Sequence, residues 1–179
     1  MSQVIDGTNG QTYPDGTVQT TAFKNDGNVA IAQQTLHIQK QAASGVSGGA
    51  GTAGAYNTRP LDTIIKNTIT GASLTSNQIT LPAGTYKIWA YISTYSAGST
   101  RTRLRNITDS SNTLLGLSEY SNTGSPGSAS QALIGAFTLT STKVLELQQW
   151  IQFSQGSNLG IAVSSGDNEV FANVLIVKE

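Results

Sequence analysis

Three arginines at alternate positions form the pattern in this sequence with the most evident binding chemistry. Arg101, Arg103 and Arg105 are separated by single uncharged residues, so on a β-strand all three side chains project from one face. Guanidinium groups bind carboxylates and phosphates through paired N–H donors, which makes the stripe a candidate site for an anionic ligand. The competing interpretation is a solvated outer face on which the arginines pair with Asp109 or Glu119.

Aromatic residues on a nearby segment suggest a second kind of binding. Trp89, Tyr91 and Tyr95 could form a platform for a stacked sugar ring, and Tyr95 joins the three arginines as a candidate ligand-binding residue. Such aromatic residues more commonly pack in a core or an interface. The loop at 121–130 is rich in small polar residues and has the character of an exposed tip, where recognition often occurs.

Residues suited to catalysis or metal binding are scarce. The chain has one histidine, His37, and no cysteine, and it lacks the His-x-x-x-His and Gly-x-Ser-x-Gly patterns. Any set of ten acidic residues offers some carboxylate pair, so a pair such as Glu119 and Glu146 is weak support for acid–base chemistry. We therefore expect no enzyme activity, no cofactor and no metal site, with His37 as a hydrogen-bonded interface residue.

Composition limits the classes of partner. Charged residues make up 11% of the 179 residues and the formal net charge is zero, which argues against nucleic-acid binding, because that depends on a strong positive field. No stretch approaches the roughly 18 apolar residues of a membrane span, so we expect no membrane insertion. Nothing near Met1 resembles a secretory signal.

The elements that must position these residues are β-strands. Residues 56–179 alternate strand-like segments with turn signals at the intervals expected for a sandwich. Ser141 and Thr142 are expected to join two strands as a hairpin, and Asp109–Ser111 to form another hairpin tip. The predicted strands are residues 63–69, 78–81, 86–93, 101–107, 112–120, 133–140, 143–153 and 169–178.

Two of these strands, residues 86–93 and 169–178, are apolar on both faces. One sandwich core covers only one face of a sheet, so something else must cover the other. The simplest cover is an identical neighbour around a three-fold axis, and the alternative is cover by loops. The residues expected at the trimer interface are Trp89, Tyr91, Phe171 and Leu175.

The chain before residue 56 has a different character. Residues 1–28 are rich in turn residues and too poor in apolar residues for a core of their own, which predicts an extended arm. Residues 29–55 form a linker with a first strand at 35–40 and a Gly/Ala/Ser-rich loop. A short helix from Val29 to Leu36 competes with the start of that strand. Residues 56–179 form the knob domain.

Three segments of the knob carry a family resemblance. Ile79-Thr80-Leu81-Pro82-Ala83-Gly84-Thr85-Tyr86, residues 143–148 and residues 169–176 resemble the strand signatures of the trimeric jelly-rolls of the C1q/TNF type. The resemblance spans most of residues 60–179. It implies an all-β, antiparallel jelly-roll sandwich that assembles as a homotrimer, here without a collagen stalk.

The arm carries a second, shorter resemblance. Tyr13-Pro14-Asp15-Gly16-Thr17-Val18-Gln19-Thr20-Thr21-Ala22-Phe23 is similar to a (Phe/Tyr)-Pro-Asp-Gly-Thr-x-Gln-Thr-Thr-Ala motif that recurs in phage fibre proteins. This similarity implies that the arm anchors the protein to a virus particle. The residues expected to anchor it are Tyr13, Pro14, Asp15, Gly16, Val18 and Phe23.

Two functions agree with these observations. The first is a capsid decoration or head-fibre protein, made in the host cytoplasm and carried on the virion surface by contacts with other virion proteins. The second is a short tail-fibre, receptor-binding protein whose loops recognise a host-surface glycan. The short arm and the absence of a shaft favour the first, and the fibre motif favours the second.

Overall fold

The computed structural model describes residues 33–122 and 127–179 in full and, before them, three short strands. All regular secondary structure in these residues is β-strand. The strands are β1 (Val4–Asp6), β2 (Gly10–Thr12), β3 (Val18–Gln19), β4 (Gln34–Ala42), β5 (Ala55–Thr58), β6 (Thr63–Asn67), β7 (Ser73–Thr75), β8 (Gln78–Leu81), β9 (Gly84–Tyr95), β10 (Gly98–Asn106), β11 (Ser111–Ser121), β12 (Ser128–Leu139), β13 (Lys143–Ile151) and β14 (Glu169–Lys178).

The N-terminal unit contains a three-stranded antiparallel sheet in the order β1-β2-β3. Val4 lies opposite Thr12, and Gln11 opposite Gln19. Among the predicted anchoring residues, Tyr13, Pro14, Asp15, Gly16 and Phe23 lie outside the described residues, and for Val18 only its place in β3 is described. The competing helix at 29–36 also falls largely outside them.

The compact unit of residues 33–179 is a sandwich of two antiparallel sheets. Sheet I has the strand order β12-β9-β14-β4-β6, and sheet II has the order β11-β10-β13-β8-β7. Strand β5 also belongs to sheet II, because it pairs with the second half of β13 while β8 pairs with the first half. The expected all-β jelly-roll sandwich is therefore confirmed.

Alternate residues of each strand build the core between the sheets. In β9 the side chains of Tyr86, Ile88, Ala90 and Ile92 are buried, as the period-two pattern predicts. The Tyr86 hydroxyl donates a hydrogen bond of 2.7 Å to the carbonyl of Pro82, so its burial leaves no polar atom unpaired. From sheet II the core receives Ile79, Leu81, Leu104, Leu145 and Leu147.

Two predictions about connections need correction. Residues 133–140 and 143–153 do not form a hairpin around Ser141 and Thr142, because β12 pairs with β9 in sheet I whereas β13 lies within sheet II. The short connection crosses from one sheet to the other. The compact unit also begins at Gln33, not at residue 56. Strand β4, which is predicted as part of the linker, is an interior strand of sheet I.

The prediction for Phe171 also fails, because β14 contains a β-bulge. The pairing of β14 with β4 shifts between Val170 and Ala172, which reverses the side-chain alternation at that point. Phe171 consequently points inward and is only 3% exposed, packed against Gly48 and Gly160. It offers little surface to a second copy of the chain. No helix among the described residues is long and apolar enough to cross a membrane.

Candidate functional site

The three arginines lie on the outward face of sheet II, which we call the arginine face. They belong to β10, whose alternate residues Thr100, Thr102, Leu104 and Asn106 are buried. The alternation expected for the stripe is therefore present, and the guanidinium groups stand on the solvent side of the sandwich.

Neutral groups, not carboxylates, hold the arginines. Arg101 donates from Nε and Nη2 to Ser118 Oγ, at 3.1 and 2.5 Å. Arg103 donates from Nε to Gln148 Oε1 at 2.8 Å. Arg105 donates to an amide oxygen, Asn112 Oδ1, at 3.3 Å.

The ion pairs expected in the competing interpretation do not form in the described part of the chain. Asp109 instead accepts from Lys143 at 2.7 Å, and within residues 33–122 and 127–179 Glu119 has no ion-pair partner. The three cations of the arginine face therefore remain without a paired carboxylate among these residues.

A groove opens at the Arg101 end of this face. Cross-strand pairing places Tyr56 beside Trp150, Trp150 beside Arg101, and Arg101 beside Ser118, so these four side chains form one row across four strands. Because neighbouring strands lie about 4.8 Å apart, the row is roughly 14 Å long. The groove has a volume of about 640 Å³ and is lined by Tyr56, Ser99, Thr100, Arg101, Ser118, Glu119, Tyr120 and Trp150.

Arg103 supports the groove from beside it. Its guanidinium lies 3.5 Å from the centre of the Tyr56 ring, a cation–π contact that fixes one face of the ring. Burial lowers the pKa of Arg103, and the nearby Arg105 lowers it further, against an opposing contribution from Tyr56. A guanidinium keeps its charge at neutral pH even so.

Three neutral side chains on the arginine face donate hydrogen bonds to Glu146. It accepts hydrogen bonds from Thr58 at 2.9 Å, Gln78 at 2.8 Å and Gln148 at 2.7 Å. Burial raises its pKa, but these three bonds outweigh burial and hold the pKa below its usual value. Glu146 therefore orders the side chain of Gln148, which in turn holds Arg103.

The outward face of sheet I is apolar at its centre, and we call it the apolar face. Cross-strand pairing places Trp89 between Ile134 and Leu175, and Ile134 is 57% exposed. Tyr91, two residues along β9, is 46% exposed. Of the four predicted interface residues, Trp89, Tyr91 and Leu175 thus share one surface, and Phe171 does not.

A polar group borders the apolar face. His37 Nε2 lies 2.7 Å from Asn173 Oδ1, and Gln39 donates to the same oxygen at 3.0 Å. His37 stands beside Leu175 in the pairing of β4 with β14. The histidine is therefore a hydrogen-bonded surface residue. Among the residues that the structure describes, no group of three or more His, Asp or Glu side chains is placed to hold a metal ion.

Sequence reasoning found only part of the groove. Tyr95 lies at the end of β9 in the other sheet and does not line the groove. Trp150 carried a usable signal, because it alternates with the buried residues of β13. Nothing in the sequence indicates that Tyr56 and Ser118 line the groove, since their place beside Arg101 depends on strand pairing that a single sequence does not specify.

Comparisons with known proteins extend this description at the level of the fold. No protein-family model matches the sequence, and no curated protein shows significant similarity to it. Murine APRIL is similar in structure, with a TM-score of 0.54 at 9% identity over 82% of this chain and 99% of that chain. The globular domain of zebrafish complement 1qA has a TM-score of 0.53 at 9% identity, over 82% of this chain and 96% of that chain.

Eiger TNF from S. frugiperda gives a TM-score of 0.52 at 13% identity, over 82% of this chain and 92% of that chain. At these identities the likeness is one of fold. Residues 33–179 therefore have the jelly-roll fold seen in C1q-type and TNF-type domains.

Proposed function

We propose that this protein is a non-enzymatic structural protein of a bacteriophage virion, a homotrimeric knob held on the virion surface by its N-terminal arm. Within that class we favour a capsid decoration or head-fibre protein. The observation that carries the trimer is the apolar face. The likeness of residues 13–23 to a phage fibre motif supports the attachment to a particle.

The apolar face supports self-association because nothing in the described part of the subunit covers it. Trp89, Ile134 and Leu175 form a row across three paired strands, on the side of sheet I that faces away from the core. Contiguous apolar surface of this kind usually marks an interface, and a closed symmetric oligomer is the usual way to cover it.

A pair of matched variants tests the interface. Ile134 and Leu115 are 57% and 56% exposed, but Ile134 lies on the apolar face and Leu115 pairs with Arg103 on the arginine face. We expect Ile134→Lys to dissociate the trimer, because it would bury a lysine in the interface, and Leu115→Lys to leave the trimer intact. Light scattering coupled to size-exclusion chromatography measures both. A trimeric Ile134→Lys protein would contradict the proposed interface.

The arm is tested by deletion. A chain without residues 1–23 should still form a folded trimer, because the jelly roll occupies residues 33–179, but it should no longer join the particle. Incorporation into virions, measured by quantitative mass spectrometry of purified particles, reports this directly. Retained incorporation of the shortened chain would refute the anchoring role of the arm.

The second candidate is a short tail-fibre, receptor-binding protein that recognises a host-surface glycan. The groove with its three aromatic residues favours this function. Copy number separates the two candidates, because a decoration protein is present in far more copies per particle than a tail appendage.

A further inference from the structure

We propose that the groove on the arginine face binds a saccharide that carries a carboxylate, with one site in each subunit. The sugar ring would stack against Trp150 and Tyr56, and its carboxylate would bind Arg101. All lining residues belong to one subunit, so the site depends neither on the trimer nor on the position of the protein on the particle.

The aromatic residues supply the surface that a pyranose ring needs. Trp150 and Tyr56 are direct cross-strand partners and stand side by side on the same face. Tyr120 is 61% exposed and pairs with Ser99, which extends the lining along the next row. Such a groove is long enough for more than one ring, and its aromatic walls match the apolar C–H faces of a sugar.

Arg101 supplies the recognition of charge. The Nε–Nη2 edge of its guanidinium, which would bind a carboxylate with two parallel hydrogen bonds, donates both bonds to the single hydroxyl of Ser118. A carboxylate would replace a neutral acceptor by a charged one on the same edge. No ion pair holds Arg101 in the described residues. A ligand can therefore bind this edge of the guanidinium without breaking a salt bridge.

The groove is arranged before any ligand arrives. Tyr56 is held by Arg103, Arg103 by Gln148, and Gln148 by Glu146. All four residues lie on strands of sheet II, so the aromatic wall does not rely on a loop. A site that is rigid beforehand loses less conformational entropy on binding.

The composition of the groove favours an acidic saccharide over a compact polyanion. Its lining holds a single cation, Arg101, beside the three aromatic residues. One guanidinium matches one acid group, and the aromatic rings match the apolar faces of a sugar. Glu119 pairs with the buried Thr100, so its side chain projects from the other face of the sheet and does not face Arg101.

The test begins with the full-length chain on an array of uronic-acid and sialic-acid oligosaccharides and their neutral hexose counterparts. We expect at least one acidic saccharide to bind and its neutral counterpart to bind at least about tenfold more weakly, the difference expected from losing a charge-assisted contact. Absence of binding to every acidic saccharide, or equal binding of the neutral counterparts, would overturn the proposal.

Two matched variants then locate the site. With the acidic saccharide that binds, Arg101→Gln should weaken the affinity by about tenfold or more, whereas Arg105→Gln, on the same strand and face but outside the groove, should change it by less than about threefold. Titration calorimetry measures both affinities. An equal loss in the two variants would indicate general attraction by the stripe and would sink the proposal, as would an unchanged Arg101→Gln protein.

Fluorescence provides a second readout, because the chain has two tryptophans on opposite sheets. The emission change on binding should persist in Trp89→Phe and disappear in Trp150→Phe, and the reverse result would place the ligand elsewhere. The oligomeric state of each sample is measured in parallel. A monomer that binds the saccharide would contradict the proposed trimer and support this site. A trimer that binds no saccharide would support the proposed trimer and contradict this site.

Discussion

At the residue scale, one buried guanidinium organises the polar end of the core. Arg59 is fully buried and donates to Gln149 Oε1 at 3.0 Å and to the carbonyls of Leu159 and Phe171 at 2.9 and 2.8 Å. Burial lowers its pKa to about 9, and in the described residues no carboxylate pairs with it. Peptide and amide dipoles, not a counter-ion, therefore stabilise this charge.

Replacing Arg59 by alanine should destabilise the fold by about 3 kcal/mol or more, because it leaves three buried acceptors unpaired and opens a cavity. Unfolding by guanidinium chloride at fixed protein concentration measures the change. Arg105→Ala is the control, since Arg105 makes one surface hydrogen bond and should cost less than about 1 kcal/mol. Equal stabilities of the two variants would contradict a structural role for Arg59.

Residue patterns reveal exposed features better than buried ones. The alternation of Arg101, Arg103 and Arg105 is local, so the sequence alone predicts their common face. Arg59 follows no periodic pattern, and its partners lie 90, 100 and 112 positions away. Its burial therefore depends on the tertiary fold and was not predictable from its neighbours.

At the element scale, the bulge of β14 shapes the end of the sandwich. It turns Phe171 inward against Gly160, where a Cβ atom would collide with the aromatic ring. Gly160 and Gly49 both have positive φ angles, 130° and 95°, but a Cβ on Gly49 would meet no atom. Comparing an alanine substitution at each glycine therefore separates the effect of backbone strain from the effect of steric overlap.

Gly160→Ala should therefore destabilise the protein more than Gly49→Ala, by about 1–3 kcal/mol, the usual cost of overpacking. Both substitutions introduce strain at a positive φ, so the difference reports the contact with Phe171. Paired denaturant titrations measure it. Identical stabilities would show that the Phe171 ring moves aside at no cost.

Glu169 anchors the loop before β14. Its carboxylate accepts hydrogen bonds from the backbone N–H groups of Val163, Ser164 and Gly45, at 3.0, 2.8 and 3.1 Å. These bonds, that of Val163 foremost, lower the pKa of Glu169. They stabilise the fold above the ordinary glutamate pKa of about 4.3, and this contribution is lost as pH falls through the lowered folded value.

Glu169→Gln should consequently be less stable than the natural chain at pH 7, and the difference should shrink as the pH approaches 3. Urea unfolding across this range tests the expectation, with the two chains compared at each pH. A difference that is independent of pH would show that the charge of Glu169 contributes nothing.

The sequence predicts where most strands lie but not which strands pair with each other. Strands β8 and β14 match their predicted bounds, because both are rich in β-branched and apolar residues and both begin directly after turn residues. The sequence does not indicate β5 and β7, since each of these short strands holds only one large apolar residue, Tyr56 or Leu74. The sequence predicts a hairpin after β12 where the chain crosses between sheets, because a two-residue turn signal does not specify which sheet the next strand joins.

At the scale of the whole knob, the two sheets present surfaces of opposite chemistry. The apolar face of sheet I is suited to identical neighbours, and the arginine face of sheet II is suited to a polar ligand. They lie on opposite sides of one core, so both can be occupied at once. The resemblance drawn from three segments predicts the jelly-roll fold, while the groove emerges only when four strands bring Tyr56, Trp150, Arg101 and Ser118 together.

The mass of the full-length chain in solution tests the central claim most directly. Native mass spectrometry at micromolar concentration should give a species of three times the 18.7 kDa chain mass, because the resemblance to trimeric jelly-rolls implies three copies, whose association would cover the row of Ile134, Trp89 and Leu175. A stable species of 18.7 kDa at the same concentration would contradict the trimer.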